Sequence, residues 1–184
     1  MKKYLSCLLF LLTLNIFASN FITFEKYSEI IRIQNNFYRV AMFPGHIFPV
    51  FWQSSDGKKE YEIKFADALT DTKTSTVYLL TLDRMAQRKI IKQNEKEFII
   101  EMQGTFCSKP EKAFDENIKA VYRWHFTANS PLIQCTVNLK RKDTVTCSIE
   151  LFAVSGNLVC KTEKINTVWT TNTYKGQTVL ELKK

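Results

Sequence analysis

Alternating apolar and polar residues, broken by turn residues every eight to twelve positions, run through this chain from Phe21 onward. A β-strand sends successive side chains to opposite faces, so this alternation gives each segment one apolar and one polar face. Pro44-Gly45 and Asp56-Gly57 supply turns between such segments, because glycine accepts bends that other residues resist. The pattern predicts an all-β fold, and within that class an antiparallel β-sandwich.

Twelve strands follow from this alternation, and only Leu82–Ile90 is ambiguous between helix and strand. The chain has 14 Phe and 7 Tyr, which supply a core at 184 residues without depending on disulfides or a metal. The predicted strands are Glu29–Gln34, Phe37–Phe43, Ile47–Gln53, Glu60–Phe65, Val77–Leu82, Arg88–Gln93, Glu97–Phe106, Ile118–Thr127, Leu132–Leu139, Thr144–Val154, Leu158–Lys164 and Thr178–Leu182.

One predicted hairpin joins Leu132–Leu139 to Thr144–Val154. A three-residue loop would place Cys135 opposite Cys147 on the buried face, which makes this pair the disulfide candidate. The alternative is that the cysteines are small buried hydrophobes. Because no CxxC spacing occurs and only two histidines exist, we predict no metal site and no cofactor.

The first residues have the order of a secretory signal peptide: Lys2-Lys3, an apolar run from Leu5 to Phe17, then small residues. The run is shorter than the roughly 18–20 apolar residues that span a membrane. We therefore predict a signal peptide at 1–19 and a β-sandwich domain at 20–184, either whole or an incomplete supersandwich. The protein would be exported, periplasmic or secreted, without a membrane span after cleavage.

The net charge is +8 at pH 7, and removal of the signal peptide takes away two lysines and no acid. A basic exported protein is suited to acidic polysaccharide, anionic lipid surfaces or nucleic acid, although scattered surface charge is the simpler interpretation. Nucleic acid is not an expected partner, because no basic amphipathic helix or aromatic-basic ribonucleoprotein motif occurs. Carbohydrate, including acidic polysaccharide, is the expected partner.

The segment 121–126 combines aromatic and basic residues on one predicted strand. Alternation places Tyr122, Trp124 and Phe126 on one face and Arg123 and His125 on the other. The aromatic side chains then form core. Arg123 and His125 are either ordinary solvated residues or carbohydrate-binding residues, since arginine binds a sugar carboxylate through two hydrogen bonds and histidine binds hydroxyls.

Two further residues are carbohydrate-binding candidates. His46 follows a Pro-Gly turn and would reach a ligand from a loop, and Trp52 at a strand end would stack on a sugar ring; structural roles remain open for both. Serine-nucleophile, zinc-protease and nucleotide-binding motifs are missing from the sequence, so the catalytic residues are unknown. Acids such as Asp67 and Asp71 are interpreted as surface charges.

Asn36–Ile47, continued by Phe51–Gly57, resembles the opening of galactose mutarotase-like proteins, where a strand ends in Pro-Gly-Gly and the next strand leads to an Asp-Gly or Asn-Gly turn. Glu97–Gly104, Tyr122–Thr127 and the turn at Ser130-Pro131 are similar to a strand pair in that superfamily and in polysaccharide lyases. The resemblance implies a supersandwich that binds carbohydrate on a concave face. It carries over no catalytic residue, because His46 replaces the second Gly and the later catalytic His and Glu have no counterpart.

Three functions remain open. The leading one is an exported carbohydrate-binding or carbohydrate-processing β-sandwich, and enzyme activity is undecided. The second is a structural or protein-interaction module without a small ligand. The third is a lyase on acidic glycans, with Arg123 neutralising a uronate and His125 or Tyr122 as base. A cluster of His46, Trp52, Arg123 and His125 on one concave face would favour carbohydrate, and their dispersal would favour the interaction module.

Overall fold

The computed structural model describes residues 21–24, 28–109, 112–113, 118–141, 145–165, 168–169 and 173–183. The predicted signal peptide lies outside these ranges. Within them the chain is all-β, as predicted, and every strand pairing is antiparallel. No helix in these ranges has the length and hydropathy needed to cross a membrane.

The strands range from two to ten residues, and a 3-10 turn occupies Leu80–Leu82. In chain order the strands are β1 (Ile22–Phe24), β2 (Ile31–Gln34), β3 (Tyr38–Met42), β4 (Phe51–Ser54), β5 (Ile63–Phe65), β6 (Ala68–Asp71), β7 (Val77–Leu79), β8 (Gln87–Gln93), β9 (Glu97–Gly104), β10 (Cys107–Lys109), β11 (Lys112–Ala113), β12 (Ile118–Thr127), β13 (Leu132–Arg141), β14 (Val145–Leu151), β15 (Val154–Gly156), β16 (Leu158–Val159), β17 (Glu163–Ile165), β18 (Val168–Trp169) and β19 (Thr173–Leu182).

These strands form four sheets. The first four make a meander in chain order, and β15 pairs with β5. A seven-stranded sheet has the order β11-β10-β7-β6-β14-β17, with β18 also paired to β14. A six-stranded sheet has the order β16-β19-β13-β12-β9-β8 and contains the longest strands.

The six-stranded sheet buries one face, and the alternation along β12 shows how. Tyr122, Trp124 and Phe126 are almost fully buried, while Arg123 and His125 point to the other side, so the predicted face assignment is confirmed. Phe126 packs edge-on against Tyr38 of the meander, and the Trp124 indole donates to the Ile47 carbonyl over 3.3 Å. One continuous core therefore joins this sheet to the meander.

The predicted hairpin between β13 and β14 is wrong. β13 is paired along one edge with β12 and along the other with β19, so no edge remains for β14. β14 joins the seven-stranded sheet instead, where Cys147 stands opposite Asp71. Cys135 stands opposite Trp124, and both cysteines are buried and not disulfide-bonded. The geometric argument for a Cys135–Cys147 disulfide thus falls with the hairpin.

Several observed strand ends differ from the predicted ones, because the pattern of polar and apolar residues there does not match the pairing of the strands. The predicted strand Thr144–Val154 breaks at Phe152, whose φ of 55° turns the chain from the seven-stranded sheet into β15. Residues 47–50 form a loop before β4, although they are largely apolar, because they cover the core without pairing. β6 and the first half of β19 were not predicted, since Thr and Asp end β6 and Thr, Lys and Gly begin β19.

Asp67 links the two large sheets through a completely buried carboxyl group. The Tyr122 hydroxyl on β12 donates to Oδ2, and the backbone N–H groups of Phe152 and Ala153 donate to Oδ2 and Oδ1 over 2.8 and 3.0 Å. Its own carbonyl accepts from the Leu80 N–H. The interpretation of Asp67 as a surface charge is therefore wrong. The carboxyl group can be buried because three hydrogen-bond donors replace the water that it loses.

Strand β8 forms one edge of the six-stranded sheet. Its pairing with β9 shifts register between Ile90 and Lys92, so one extra residue bulges out of the strand. Ile90 and Ile91 stay about 40% exposed there. Such a bulge bends the strand and interrupts its regular row of backbone donors and acceptors.

Removal of the Tyr122 hydroxyl tests the link between the sheets. Tyr122→Phe keeps the ring but takes one donor from a buried carboxyl, so the free energy of unfolding should fall by about 1–2 kcal/mol. Tyr38→Phe is the matched control: this hydroxyl is also buried but has no partner among the described residues, the nearby Asn35 amide being bonded to four backbone groups. Urea unfolding should show no loss, or a gain, for the control. Equal losses would contradict the link.

The same carboxyl gives stability a defined pH dependence. Burial raises the pKa of Asp67 from 3.8 to about 7. Between these values the folded protein holds a proton that the unfolded chain releases, so the free energy of unfolding falls as pH rises and levels off above about pH 7. The Tyr122 hydrogen bond lowers this pKa, so in Tyr122→Phe the fall should extend to higher pH.

Urea unfolding between about pH 5 and about pH 9 measures this difference, which should grow toward the alkaline end. Comparison with the unaltered protein cancels other titrating groups, including His46, whose lowered pKa acts in the opposite direction. A destabilisation by Tyr122→Phe that stays constant across this range would show that Asp67 does not titrate as described.

Candidate functional site

The polar face of the six-stranded sheet holds a groove of about 720 Å³, which we call the outer groove. It arises because β8, β9, β12, β13 and β19 each direct alternate side chains away from the core, and the antiparallel register sets these side chains in rows. The groove is lined mainly by side chains of Gln87, Lys89, Glu101, Gln103, Val121, Arg123, Thr136, Asn138, Lys140, Lys175 and Gln177.

Two rows of residues cross the groove from strand to strand. The central row is Lys89, Glu101, Arg123, Thr136 and Gln177, and the next is Gln87, Gln103, Val121, Asn138 and Lys175. Amides and cations dominate both rows, and Glu101 is the single carboxylate in the lining as described. The groove is therefore positively charged and rich in groups that both donate and accept hydrogen bonds.

Arg123 occupies the centre of the groove and pairs with Glu101. Its Nε and Nη2 atoms both donate to Glu101 Oε1, over 3.0 and 2.5 Å, and half of the arginine side chain remains exposed. An ion pair this open to water contributes little to stability, about 0–1 kcal/mol. Its main effect is to hold the guanidinium in a fixed place within the groove that Arg123 lines.

Three lysines lie together at one end of the groove. Lys119 stands directly opposite Lys140 on the neighbouring strand, and Lys175 lies one row along on β19. In the described part of the chain, none of the three has a carboxylate within ion-pair distance. Like charges in opposed positions destabilise a sheet, so this arrangement favours an anion between them.

Asn138 adds an unsatisfied acceptor to the same end. Its side-chain Oδ1 is buried and has no hydrogen-bond partner among the described residues. A buried polar atom without a partner costs free energy, of the order of 1–3 kcal/mol. Asn138 lines the groove between Val121 and Lys175, so a rotation of its amide that brings Oδ1 to the groove would let a ligand donor satisfy this atom.

His125 lies on the same face as Arg123, one row away from the groove. Its Nε2 is 3.1 Å from Glu97 Oε2 and its Nδ1 is 3.2 Å from Gln134 Oε1. Both ring nitrogens therefore have partners, and about a quarter of the side chain is exposed. Arg123 and His125 are thus brought to one face, with Arg123 inside the groove and His125 beside it.

The other two candidates lie elsewhere. Trp52 is buried in the core, with its indole N–H 3.3 Å from the Pro49 carbonyl, so it has no face free to stack on a sugar. His46 lies in the loop before β4, beside Arg84, and lines a different pocket from Arg123. Tyr122, a possible base in the lyase hypothesis, points into the core and does not share a face with Arg123.

Sequence reasoning missed most of the groove. The strand alternation already assigns Gln103, Thr136 and Asn138 to polar faces, but only the strand order shows that these faces adjoin. Lys175 and Gln177 were missed altogether, because the predicted final strand began at Thr178. A stronger signal was available in the Thr, Lys and Gln alternation of residues 173–178, which matches a half-exposed strand.

No group of three His, Cys, Asp or Glu side chains that could hold a metal ion occurs among the residues that the structure describes. Comparison of the chain with protein-family models, with curated proteins and with solved structures finds no match. The similarity to galactose mutarotase-like proteins therefore stays a prediction, and the groove must be interpreted from its own chemistry.

Proposed function

We propose that the protein binds an anionic carbohydrate, such as a polyuronate or a sulfated glycan, in the outer groove. The observation that carries this is the arrangement around Arg123: five cations, Arg88 among them, and four amides line one groove with a single carboxylate. Carboxylates and sulfates pair with arginine and lysine, while sugar hydroxyls need neighbours that donate and accept. The groove offers both kinds of group within a few rows of one sheet.

Residues of the groove suit a hydrated polymer better than a protein surface. Protein interfaces are enriched in aromatic residues, Met and Arg and depleted in Lys, whereas the lining as described has no aromatic ring and three lysines. Single-stranded nucleic acid is usually held by base stacking on aromatic side chains, for which this lining offers no platform. The lack of a stacking ring also disfavours neutral sugars, which leaves charge as the basis of recognition.

In the interpretation of the sequence, clustering of the four candidate residues on one face supports carbohydrate binding. The structure disperses them, which weighs against carbohydrate by that criterion. Only Arg123 lies in the groove, with His125 beside it. The proposal therefore rests on residues that the criterion did not include, above all Lys140, Lys175 and Asn138. The interaction module stays the alternative, and it becomes the preferred function if the groove binds no glycan.

We further propose that this binding takes place outside the cytoplasm. The support is the order of charge, apolar run and small residues in 1–19, together with the abundance of acidic polysaccharide in extracellular settings. Binding rather than catalysis is proposed, since Tyr122 is buried and both ring nitrogens of His125 are already bonded.

Calorimetric titration of the purified protein with polygalacturonate, dextran sulfate and neutral dextran tests the proposal. The two anionic polymers should bind and neutral dextran should not. Arg123→Gln should weaken binding tenfold to a hundredfold, which corresponds to roughly 1.5–3 kcal/mol for a charged hydrogen bond. Affinity should also fall as salt is added, because the contacts are exposed ion pairs.

Lys58→Gln is the matched control, because it removes one exposed positive charge from the turn after β4, away from the groove. It should change affinity little. The proposal is wrong if neither anionic polymer binds at millimolar sugar concentration, or if Arg123→Gln and Lys58→Gln weaken binding equally. Binding of polyphosphate as tight as that of polygalacturonate would replace the carbohydrate assignment by a general polyanion site.

A further inference from the structure

A second cavity, of about 350 Å³, lies between the loop before β4 and strand β5. We call it the His46 pocket. Its floor is formed by Ile47, Phe48, Pro49 and Phe65, and its rim by His46, Val50, Lys64 and Arg84. It shares no lining residue with the outer groove. Its volume is near the lower end of the range for small-molecule sites, about 300–1,000 Å³.

The backbone fixes the loop that carries His46. Gly45 forms an isolated bridge with Ala86, whose N–H donates to the Gly45 carbonyl over 3.2 Å. Gly45 has φ of +75°, and a Cβ there would lie 2.3 Å from the Arg84 carbonyl oxygen, so only glycine fits. This close approach keeps His46 beside Arg84 before any ligand arrives, which lowers the entropy cost of binding.

The floor of the pocket is apolar and rigid. Phe48 is buried and stacks on Phe65, with ring centroids 4.6 Å apart and planes 5° from parallel. Phe48 and Phe65 also pack edge-on against Trp124, so the floor is part of the main core. An apolar group lying here would leave water without disturbing the packing beneath it.

The rim of the pocket carries Arg84, which pairs with no carboxylate among the described residues. Arg84 Nη1 lies 2.9 Å from His46 Nδ1 and 3.2 Å from Nε2. Burial, and then the Arg84 charge, lower the pKa of His46, so the imidazole is neutral at neutral pH. Within the described ranges no acid lies within ion-pair distance of Arg84.

The neighbouring acids are already engaged. Asp83 also lines the pocket, but it is buried, and its two carboxylate oxygens accept the backbone N–H groups of Met85 and Thr105, each over 2.7 Å. Lys64 pairs with Glu62 over 2.6 Å at the surface. Among the described residues of this rim, Arg84 is thus the cation that has no acid partner, and its guanidinium can pair with an anion from solution.

We propose that the His46 pocket binds a compact organic carboxylate, whose apolar body lies on Phe48 and Phe65 and whose carboxylate pairs with Arg84. The apolar floor fits the apolar body of such a ligand, and the cationic rim fits its carboxylate. A purely apolar ligand would leave Arg84 unpaired, and a small inorganic anion would leave the floor uncovered. This site is independent of the carbohydrate proposed for the outer groove.

The two histidines of the chain make the test direct, because each reports one site in a proton NMR spectrum. His46 lies in the pocket, and His125 lies beside the groove. The purified protein is titrated with benzoate, with benzamide as the neutral analogue and with acetate as the anion without an apolar body. Benzoate should shift the His46 resonances, saturating in the millimolar range or below, and leave those of His125 unchanged.

Arg84→Gln should weaken benzoate binding at least tenfold, since it removes the paired charge. Lys89→Gln, which removes a charge from the outer groove, should leave it unchanged. The proposal is overturned if benzamide or acetate shifts His46 as strongly as benzoate, if benzoate shifts neither histidine, or if Arg84→Gln binds benzoate as tightly as the unaltered protein. The comparison of the three small molecules needs no variant, so it decides the question even if Arg84→Gln folds poorly.

Discussion

The Asp67 carboxyl is the interaction on which the arrangement of the sheets depends. It accepts from Tyr122 on the six-stranded sheet and from the backbone at Phe152 and Ala153, where the chain leaves the seven-stranded sheet. Removing one donor from such a buried group costs more than the hydrogen bond gains, so the three contacts hold as a set. Because Tyr122 precedes Arg123 on β12, the interaction that orients the core side of this strand also orients the centre of the outer groove.

Much of the fold follows from local pattern. The 10-residue strand β12 was predicted with both faces correct, because five buried and five more exposed positions alternate without a break. Local pattern does not predict which strands pair with each other. β13 and β14 have equally good alternation and adjoin in sequence, yet they lie in different sheets. Pairing depends on which edges other strands have already occupied, here β12 and β19, and no segment of the sequence records that.

The site was harder to predict than the fold, for two physical reasons. The outer groove draws its side chains from five strands, so its residues become neighbours only through strand order. Chemical type also misleads: Trp52 has the ring of a sugar platform, but its position on the buried side of β4 places it in the core. Arg123 was identified because its strand is unusually regular. His46 was identified because the chain has only two histidines, but it lies beside Arg84 in a different pocket from Arg123.

The bulge in β8 has a consequence for how molecules of this protein meet one another. An outer strand with a straight row of free backbone groups invites a strand from a second molecule, and repeated addition leads to aggregation. The extra residue between Ile90 and Lys92 bends this margin, and Lys89 adds a charge that repels a like copy. Two isoleucines therefore remain exposed at the rim of the sheet without offering a flat template, so this edge is poorly suited to the addition of a strand from a second molecule.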